Sequence, residues 1–444
     1  MKKEIIHNVK RLANVVWSSE LNEKNKVDAH NMLVVSKITY SFGIINWTEN
    51  ELDEIDRMIR KCLANNRCLS IHSNINRLYL SRQQGGKGLL NVHHLHNRTI
   101  TTLVGYVFNG NSEHAKLIKK FWMNKKMGTL LKKAEDVIGK IGLNIAFTEN
   151  GVMKDSELLD HSKLGNIMKK EYQKYYASWT KNALHGKVLT RCIEGGIDIR
   201  ESFRWLNTAR LRGDAVSTLF AIQEQAIPTR VIKKRIWKNN ILSSEYCRMC
   251  DKSLETVSHV ISGCTVLANT YYKARHDNML KVIYYYLLFK LGFEEKWHAW
   301  YEVNIIEPVK SNEVCSIYWD YPLQTNNFQR FNKPDIVIIY KQQDKISLIE
   351  GSVPWDENIA SKQIEKRNKY KELSIELKNI HRKKICTISE VVIGSTGLLD
   401  ESIKKSLKPL CDNSKDVRRI MDYCQKAVIL GTVRICRQLF DSAM

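Results

Sequence analysis

Proline is scarce in this sequence, with six residues in 444, and neither an internal repeat nor a low-complexity tract occurs. Long disordered linkers are therefore not expected. No apolar run approaches the roughly 18 residues needed to span a bilayer. The longest lies near Val282–Phe289, so no membrane partner is expected. The first thirty residues are studded with Lys, Arg, Glu and Asp and hold no apolar stretch, so no secretory signal is read there. The eleven cysteines are odd in number and mostly scattered, which argues against a disulfide framework and for a reducing compartment. Negative charge is the other deficit, with 47 acidic against 70 basic residues, a formal charge of +23 and a pI near 9.4. That excess favours a polyanionic partner.

What is present is ample for sizeable cores. Hydrophobic residues make up 43% and charged residues 26%, which fits a globular protein of about three domains. Charge is unevenly spread. Residues 1–150 carry 23 basic and 13 acidic groups, 151–240 carry 17 and 9, 241–320 carry 8 and 10, and 321–444 carry 22 and 15. A near-neutral segment between basic arms suggests modules with separate jobs.

The first half reads as helical. Leu52, Ile55, Ile59 and Leu63 fall at helical spacing over Glu51–Leu63. Gly85-Gly86-Lys87-Gly88 reads as a tight turn rather than a phosphate loop, because no GK[ST] follows. His93, His94 and His96 read as a loose surface trio rather than a metal site. Over 111–240, lysine-rich helical patterns carry Trp122, Trp179, Trp205 and Trp237. The densest basic cluster holds Lys233, Lys234, Arg235, Trp237 and Lys238. Basic groups around an aromatic suit a phosphate backbone and a stacking base, or a nuclear-import signal. A solvated helix face with one inward tryptophan is the plainer reading.

Cys247, Cys250, His259 and Cys264 have the spacing C-x2-C-x8-H-x4-C. A two-residue gap makes a chelating knuckle, and a later His and Cys can close a tetrahedron around zinc. Four protein ligands leave no open position, so such a zinc would hold a fold rather than perform catalysis. Arg275-His276-Asp277 then precedes an apolar helix, Met279–Leu291. Asp277 could cap that helix with Arg275 solvated. Alternatively, the three residues could orient nucleic acid or support a nearby site.

The C-terminal module carries the chemistry. Lys333-Pro334-Asp335 opens the β-branched run Ile336–Tyr340, a polar turn follows, and Ile346–Glu350 is a second strand. Antiparallel pairing would bring Asp335 and Glu350 together at the open end of the hairpin. Two hard oxygen donors in one place suit Mg²⁺. A long helix is expected over about Glu357–Ile380, with Lys366 at the centre of a stripe formed by Ile359, Tyr370, Leu373, Leu377 and Ile380. Lys369 lies at the edge of that stripe. A lysine seldom faces a core without an anionic partner. Lys366 and Lys369 are therefore candidate catalytic groups beside the two metal-binding acids, and Glu365 is a possible extra contact. Snorkelling of Lys366 and ordinary strand-end acids are the alternative.

This arrangement resembles the PD-(D/E)xK restriction-like endonuclease superfamily. Ser352 stands where the usual lysine would follow Glu350, and Glu365-Lys366-Arg367-Asn368-Lys369-Tyr370 supplies lysines from the helix instead. That relocation is similar to the nuclease of site-specific non-LTR retrotransposons, whose polyproteins also place a CCHC knuckle and an Arg-His-Asp motif just upstream. Tyr40-Ser41-Phe42-Gly43, Trp47, Arg77-Leu78-Tyr79-Leu80, Gly85–Leu89, Glu350–Pro354 and Ile429–Thr432 resemble Dong-like members of the group. Glu350 departs from the commoner Asp. No aliphatic/aromatic-Ala-Asp-Asp polymerase motif and no N-terminal DNA-binding fingers are found, so the chain resembles only the last third or so of such a polyprotein.

The resemblance implies an α+β multidomain protein. Its parts would be a reverse transcriptase thumb-like helical region (1–110), a basic helical connector (111–240), a CCHC zinc knuckle (241–277) and a restriction-like endonuclease domain (278–444). It implies structural Zn²⁺ and catalytic Mg²⁺, and nicking of target DNA to give a 3′-hydroxyl primer without polymerase activity from this chain alone. The implied partners are target DNA, element RNA and a full-length polyprotein, with a nuclear location. Lys233, Lys234, Arg235, Trp237, Lys238, Arg275 and His276 would contact nucleic acid. An inactive remnant that only binds RNA or DNA is the alternative.

Overall fold

The computed structural model describes residues 1–125, 129–239, 244–302 and 305–440. The chain forms two compact units. One comprises Met1–Trp179 with Leu211–Asp214, the other Thr180–Arg210 with Ala215–Met444. The Cys/His cluster belongs to the same unit as the C-terminal sheet.

The first unit is built on helices α1 (Lys2–Ser18), α2 (Glu49–Asn65), α3 (Val92–Asn109), α4 (Leu130–Ile141) and α5 (His161–Ala177). The predicted amphipathic helix is α2. It starts at a capping box in which Thr48 and Glu51 satisfy each other's backbone N–H groups, and it buries Leu52, Ile55, Ile59 and Leu63. Ile100, Val104 and Phe108 of α3 pack with Leu131, Ala134 and Ile138 of α4 and Leu164 of α5. Each buried aliphatic or aromatic side chain contributes roughly 1.5–3 kcal/mol. The expected turn is present, with Gly85 and Gly88 at positive φ of 86° and 76°. The part is largely helical, as expected, with one short meander of β1 (Ile145–Thr148), β2 (Gly151–Lys154) and β3 (Glu157–Leu158) inserted.

The second unit carries α6 (Lys273–Lys290) and a sheet of β4 (Val309–Ser311), β5 (Cys315–Trp319), β6 (Ile336–Tyr340), β7 (Lys345–Ser352) and β8 (Ile385–Val392). The strands lie in sequence order, antiparallel except for β7 and β8, which run parallel. A parallel neighbour requires a crossover. That crossover is α7 (Ile359–Lys369) with α8 (Lys371–His381), and α9 (Ser414–Phe440) closes the chain. Strand alternation sorts the two faces. Ile336, Ile338 and Ile349 join α6 and α9 in one core, whereas Val337, Ile339, Ile346 and Leu348 join Tyr370, Leu373 and Leu377 in the other. The architecture is therefore α+β: a largely helical N-terminal part, a Cys/His cluster and a mixed five-stranded sheet with helices on both faces. No helix among the described residues is long and apolar enough to cross a membrane.

The single helix expected over Glu357–Ile380 is instead two. A short 3-10 turn, Asp356–Asn358, leads into α7, and Tyr370 (φ −111°, ψ 15°) separates α7 from α8. The buried stripe survives the break, since Ile359, Tyr370, Leu373 and Leu377 are all buried.

Candidate functional site

The register of β6 and β7 decides where the acids fall. Ile336 pairs with Ile349, so the residues just outside that pair, Asp335 and Glu350, meet at the open end of the hairpin. The Asp335 backbone N–H donates to Glu350 Oε2 (3.3 Å), and the Gly351 N–H donates to Asp335 Oδ2 (2.7 Å). Gly351 is glycine for a packing reason: a Cβ there would lie 2.8 Å from Met279 Cε and 3.0 Å from Leu280 Cδ2 of α6. The strand presses onto α6 where it also donates to Asp335.

Glu350 is 2% exposed, and its partners come from α7. Lys366 Nζ lies 2.6 Å and Lys369 Nζ 3.0 Å from Glu350 Oε1. The lysine placed at the centre of the stripe thus faces an anion, which is what makes its inward position affordable. Lys369 also sits over the Tyr370 and Phe331 rings, at 4.6 and 5.4 Å from their centroids. The Tyr370 hydroxyl donates to the Lys333 carbonyl (2.9 Å). Burial and the neighbouring carboxylates push that hydroxyl's pKa up, so it remains a donor. Glu365 does not join the acids; it is exposed and paired with Lys362 at 2.6 Å.

The Arg-His-Asp motif divides its roles. His276 Nε2 lies 3.4 Å from Asp335 Oδ2, and its Nδ1 lies 3.1 Å from Asp277 Oδ1. Burial alone would lower the His276 pKa, but hydrogen bonds to Asp277 and Asp335 outweigh it and push the imidazole up to about 10. The same His276 contact, with the Gly351 N–H, outweighs the burial of Asp335 and holds its carboxyl below the usual range. His276 therefore belongs to the acid cluster rather than to a separate surface. Arg275 is neither solvated nor displayed to a ligand. It is 1% exposed, donates to Thr432 Oγ1 (2.8 Å), and reaches Ser262 Oγ and the Val353 carbonyl (both 3.4 Å). Asp277 does not cap the helix, which begins at Lys273; it faces Lys273 Nζ at 3.6 Å.

The Cys/His cluster forms as its spacing requires. The ligand atoms of Cys247, Cys250, His259 and Cys264 all lie within 4.8 Å of one another. Cys247 Sγ is 3.9 Å from Cys264 Sγ, and Cys250 Sγ is 3.4 Å from His259 Nε2. Tetrahedral zinc with Zn–S near 2.3 Å needs S···S of about 3.8 Å, so the donor set fits a structural zinc. The Met249 N–H donates to Cys247 Sγ (3.4 Å). Buried Glu255 braces the knuckle, taking the Arg248 guanidinium (2.7 Å) and the Arg230 N–H (2.8 Å). The Tyr272 hydroxyl donates to the Val260 carbonyl (2.6 Å) and accepts from the Cys264 N–H (3.1 Å). No other such group of three or more His, Cys, Asp or Glu occurs among the described residues.

The remaining sequence candidates fall elsewhere. Lys233, Lys234 and Arg235 lie on a π-helical turn, Ile232–Ile236, followed by Trp237 and by Lys238 at φ 54°. Arg235 is engaged by Glu245 (2.5 Å), while Lys234 and Lys238 are exposed. Trp179 and Trp205 are core residues. The histidines are not a loose surface trio: His96 is buried, His94 stacks on Tyr172 at 4.0 Å, and His93 pairs with Asp53 at 2.8 Å. Sequence reasoning missed Glu390, aligned with Glu350 across β7 and β8 and held by Arg367 at 3.0 Å. It also missed Lys333, which is paired with Asp320 at 2.9 Å. No protein-family model and no curated protein matches the chain.

Proposed function

We propose that this chain is a Mg²⁺-dependent DNA endonuclease module of restriction-like type, the C-terminal part of a non-LTR retrotransposon reverse transcriptase polyprotein. The observation that carries this reading is the meeting of Asp335 and Glu350 at one strand end with Lys366 and Lys369 on the Glu350 carboxylate. An ionised Asp335 beside Glu350 supplies hard oxygen donors of the kind Mg²⁺ takes through one or two carboxylates. Asp335 and Glu350 would hold Mg²⁺, which would supply polarisation of the scissile phosphodiester. Lys366 and Lys369 orient the attacking water and offset the negative charge that develops on the phosphate. Water oxygen bonds to phosphorus, the bond to the 3′-oxygen breaks, and that oxygen takes a proton. The products are a 5′-phosphate and a free 3′-hydroxyl able to prime synthesis. His276 holds Asp335 in its charged form and fixed orientation.

In this reading Cys247, Cys250, His259 and Cys264 hold a structural zinc that fixes the segment leading into α6. The basic excess of residues 1–240 serves DNA and RNA binding, the location is nuclear, and polymerisation is left to a palm outside this chain. The test is nicking of supercoiled DNA with Mg²⁺. Wild-type protein should convert it to the open circle, and Asp335→Ala and Lys366→Ala should not. Nicking that survives in both variants would reject these residues. Salt-sensitive binding without metal-dependent cutting would leave only the nucleic-acid-binding remnant.

A further inference from the structure

Beside the acid–lysine cluster, the segment from Tyr321 to Pro334 contains no acidic residue and carries Arg330 and Lys333. It is a loop closed at its base by the Leu323 N–H donating to the Asn332 carbonyl (2.9 Å) and the Asn332 side chain donating to the Leu323 carbonyl (3.2 Å). Glu376 of α8 accepts the N–H groups of Asn326 (3.0 Å) and Asn327 (3.1 Å) and the Asn327 amide (3.2 Å). Those bonds hold the Glu376 carboxyl below its ordinary pKa, so the clamp stays charged. At the position next to this clamp stands Phe328, 94% exposed, the most exposed large hydrophobic side chain among the described residues. Scattered exposed apolar residues need no explanation. A phenylalanine presented almost entirely to water by a loop tied at its base and clamped at Asn326 and Asn327, with Arg330 and Lys333 following it, is a different case.

The loop is tied to the chemistry through Phe331, whose ring carries Lys369 on one side (5.4 Å) and the Arg330 guanidinium (5.2 Å). Three residues of chain span at most about 11 Å, so Phe328 lies within that reach of Phe331. We propose that Phe328 is a stacking wedge that enters the DNA beside the scissile phosphate and holds a base out of its pair, while Arg330 takes a flanking phosphate. Base–aromatic stacking tolerates any sequence and is worth roughly a tenfold effect or more per base, and apolar wedges inserted between base steps unstack and kink a duplex. The proposal rests on the nuclease reading for the identity of the partner as DNA.

Two measurements test it separately from that reading. The first compares Mg²⁺-dependent nicking of a fully paired duplex with nicking of the same duplex carrying a mismatched bubble at the cut site. Phe328→Ala should lose roughly tenfold on the paired duplex and several-fold less on the bubble, and Phe328→Trp should restore the paired substrate. An equal loss on both substrates, or none on either, would overturn the wedge. The second needs no cleavage: a duplex with 2-aminopurine is mixed with protein in Ca²⁺. Its fluorescence should rise with wild-type protein and with Phe328→Trp, and not with Phe328→Ala. Equal signals from wild type and Phe328→Ala would overturn the wedge even if the wild type proved unable to cut. Phe328 is solvent-exposed, so its variants should fold.

Discussion

At the residue scale, the two lysines on Glu350 are not equivalent. Lys366 makes the shorter contact, at 2.6 Å against 3.0 Å, whereas Lys369 shares its charge with two aromatic rings. Removing one preorganised donor from a charge-stabilising site typically costs about 10²–10³ in rate. Lys366→Met should therefore reduce nicking by roughly a hundredfold or more. Lys369→Met should cost less, and both losses should appear in single-turnover cleavage rates at saturating protein. Arg275 belongs to the same motif as His276 yet makes the opposite prediction. Its guanidinium is buried against Thr432, Ser262 and Val353, and burial lowers its pKa to about 10. Arg275→Met should destabilise the second unit by roughly 2–4 kcal/mol, because a buried hydrogen-bonded hub is lost. Urea denaturation measures this. A phosphate-contacting arginine would instead leave stability intact and reduce the salt slope of DNA binding by about one.

At the element scale, the hairpin was legible because Ile336–Ile339 is an unbroken β-branched run, ended by Tyr340, with Asp335 outside it, and the observed register follows. The inward lysine was legible for a similar reason: helical periodicity depends only on spacing, and the stripe through Ile359, Tyr370 and Leu373 persists. The break at Tyr370 was not legible. No Gly or Pro marks it; the cause is tertiary, since the buried Tyr370 hydroxyl must reach the Lys333 carbonyl. The contact of His276 with Asp335 was hidden likewise, because it depends on α6 lying against β7 at Gly351. The meander at Ile145–Leu158 escaped because strands of two to four residues carry too little alternation to read. The meeting of the Cys/His cluster was legible from its ligand spacing. Its prediction follows at the same scale: Cys247→Ser or strong chelation should remove one zinc per chain and lower the melting temperature. Structural zinc sites contribute folding free energy outright. Folded wild-type protein purified zinc-free would count against it, as measured by elemental analysis beside calorimetry.

At the scale of the whole molecule, the strong positive charge leads one to expect greater stability at high pH through reduced self-repulsion, but the first unit holds more specific groups. His30, His94 and His96 all have pKa values lowered to about 4, chiefly by burial. His30 shows why the neutral form is required. Its Nδ1 accepts a hydrogen bond from Trp17 Nε1 (3.1 Å), which a protonated ring could not do. In the unfolded chain these histidines titrate near 6.5. Between pH 6.5 and 4 the unfolded state therefore binds more protons, so stability rises with pH through this window and is fully present above it. Asp56 acts in the opposite sense. Burial raises its pKa to about 6, so its contribution declines as pH rises from about 4 to 6, and it offsets one histidine of the three; buried Asp356 of the second unit, likewise raised to about 6, offsets another in the full chain. The balance predicts that the unfolding free energy of the full chain, read from urea titrations, falls as pH is lowered from 6.5 to 4.5, by an amount on the order of 1–3 kcal/mol per uncompensated histidine. His30→Gln should flatten that dependence by one histidine's share, read from the same urea titrations. If His30→Gln and wild-type protein show the same slope, burial of His30 is not what makes the fold acid-sensitive.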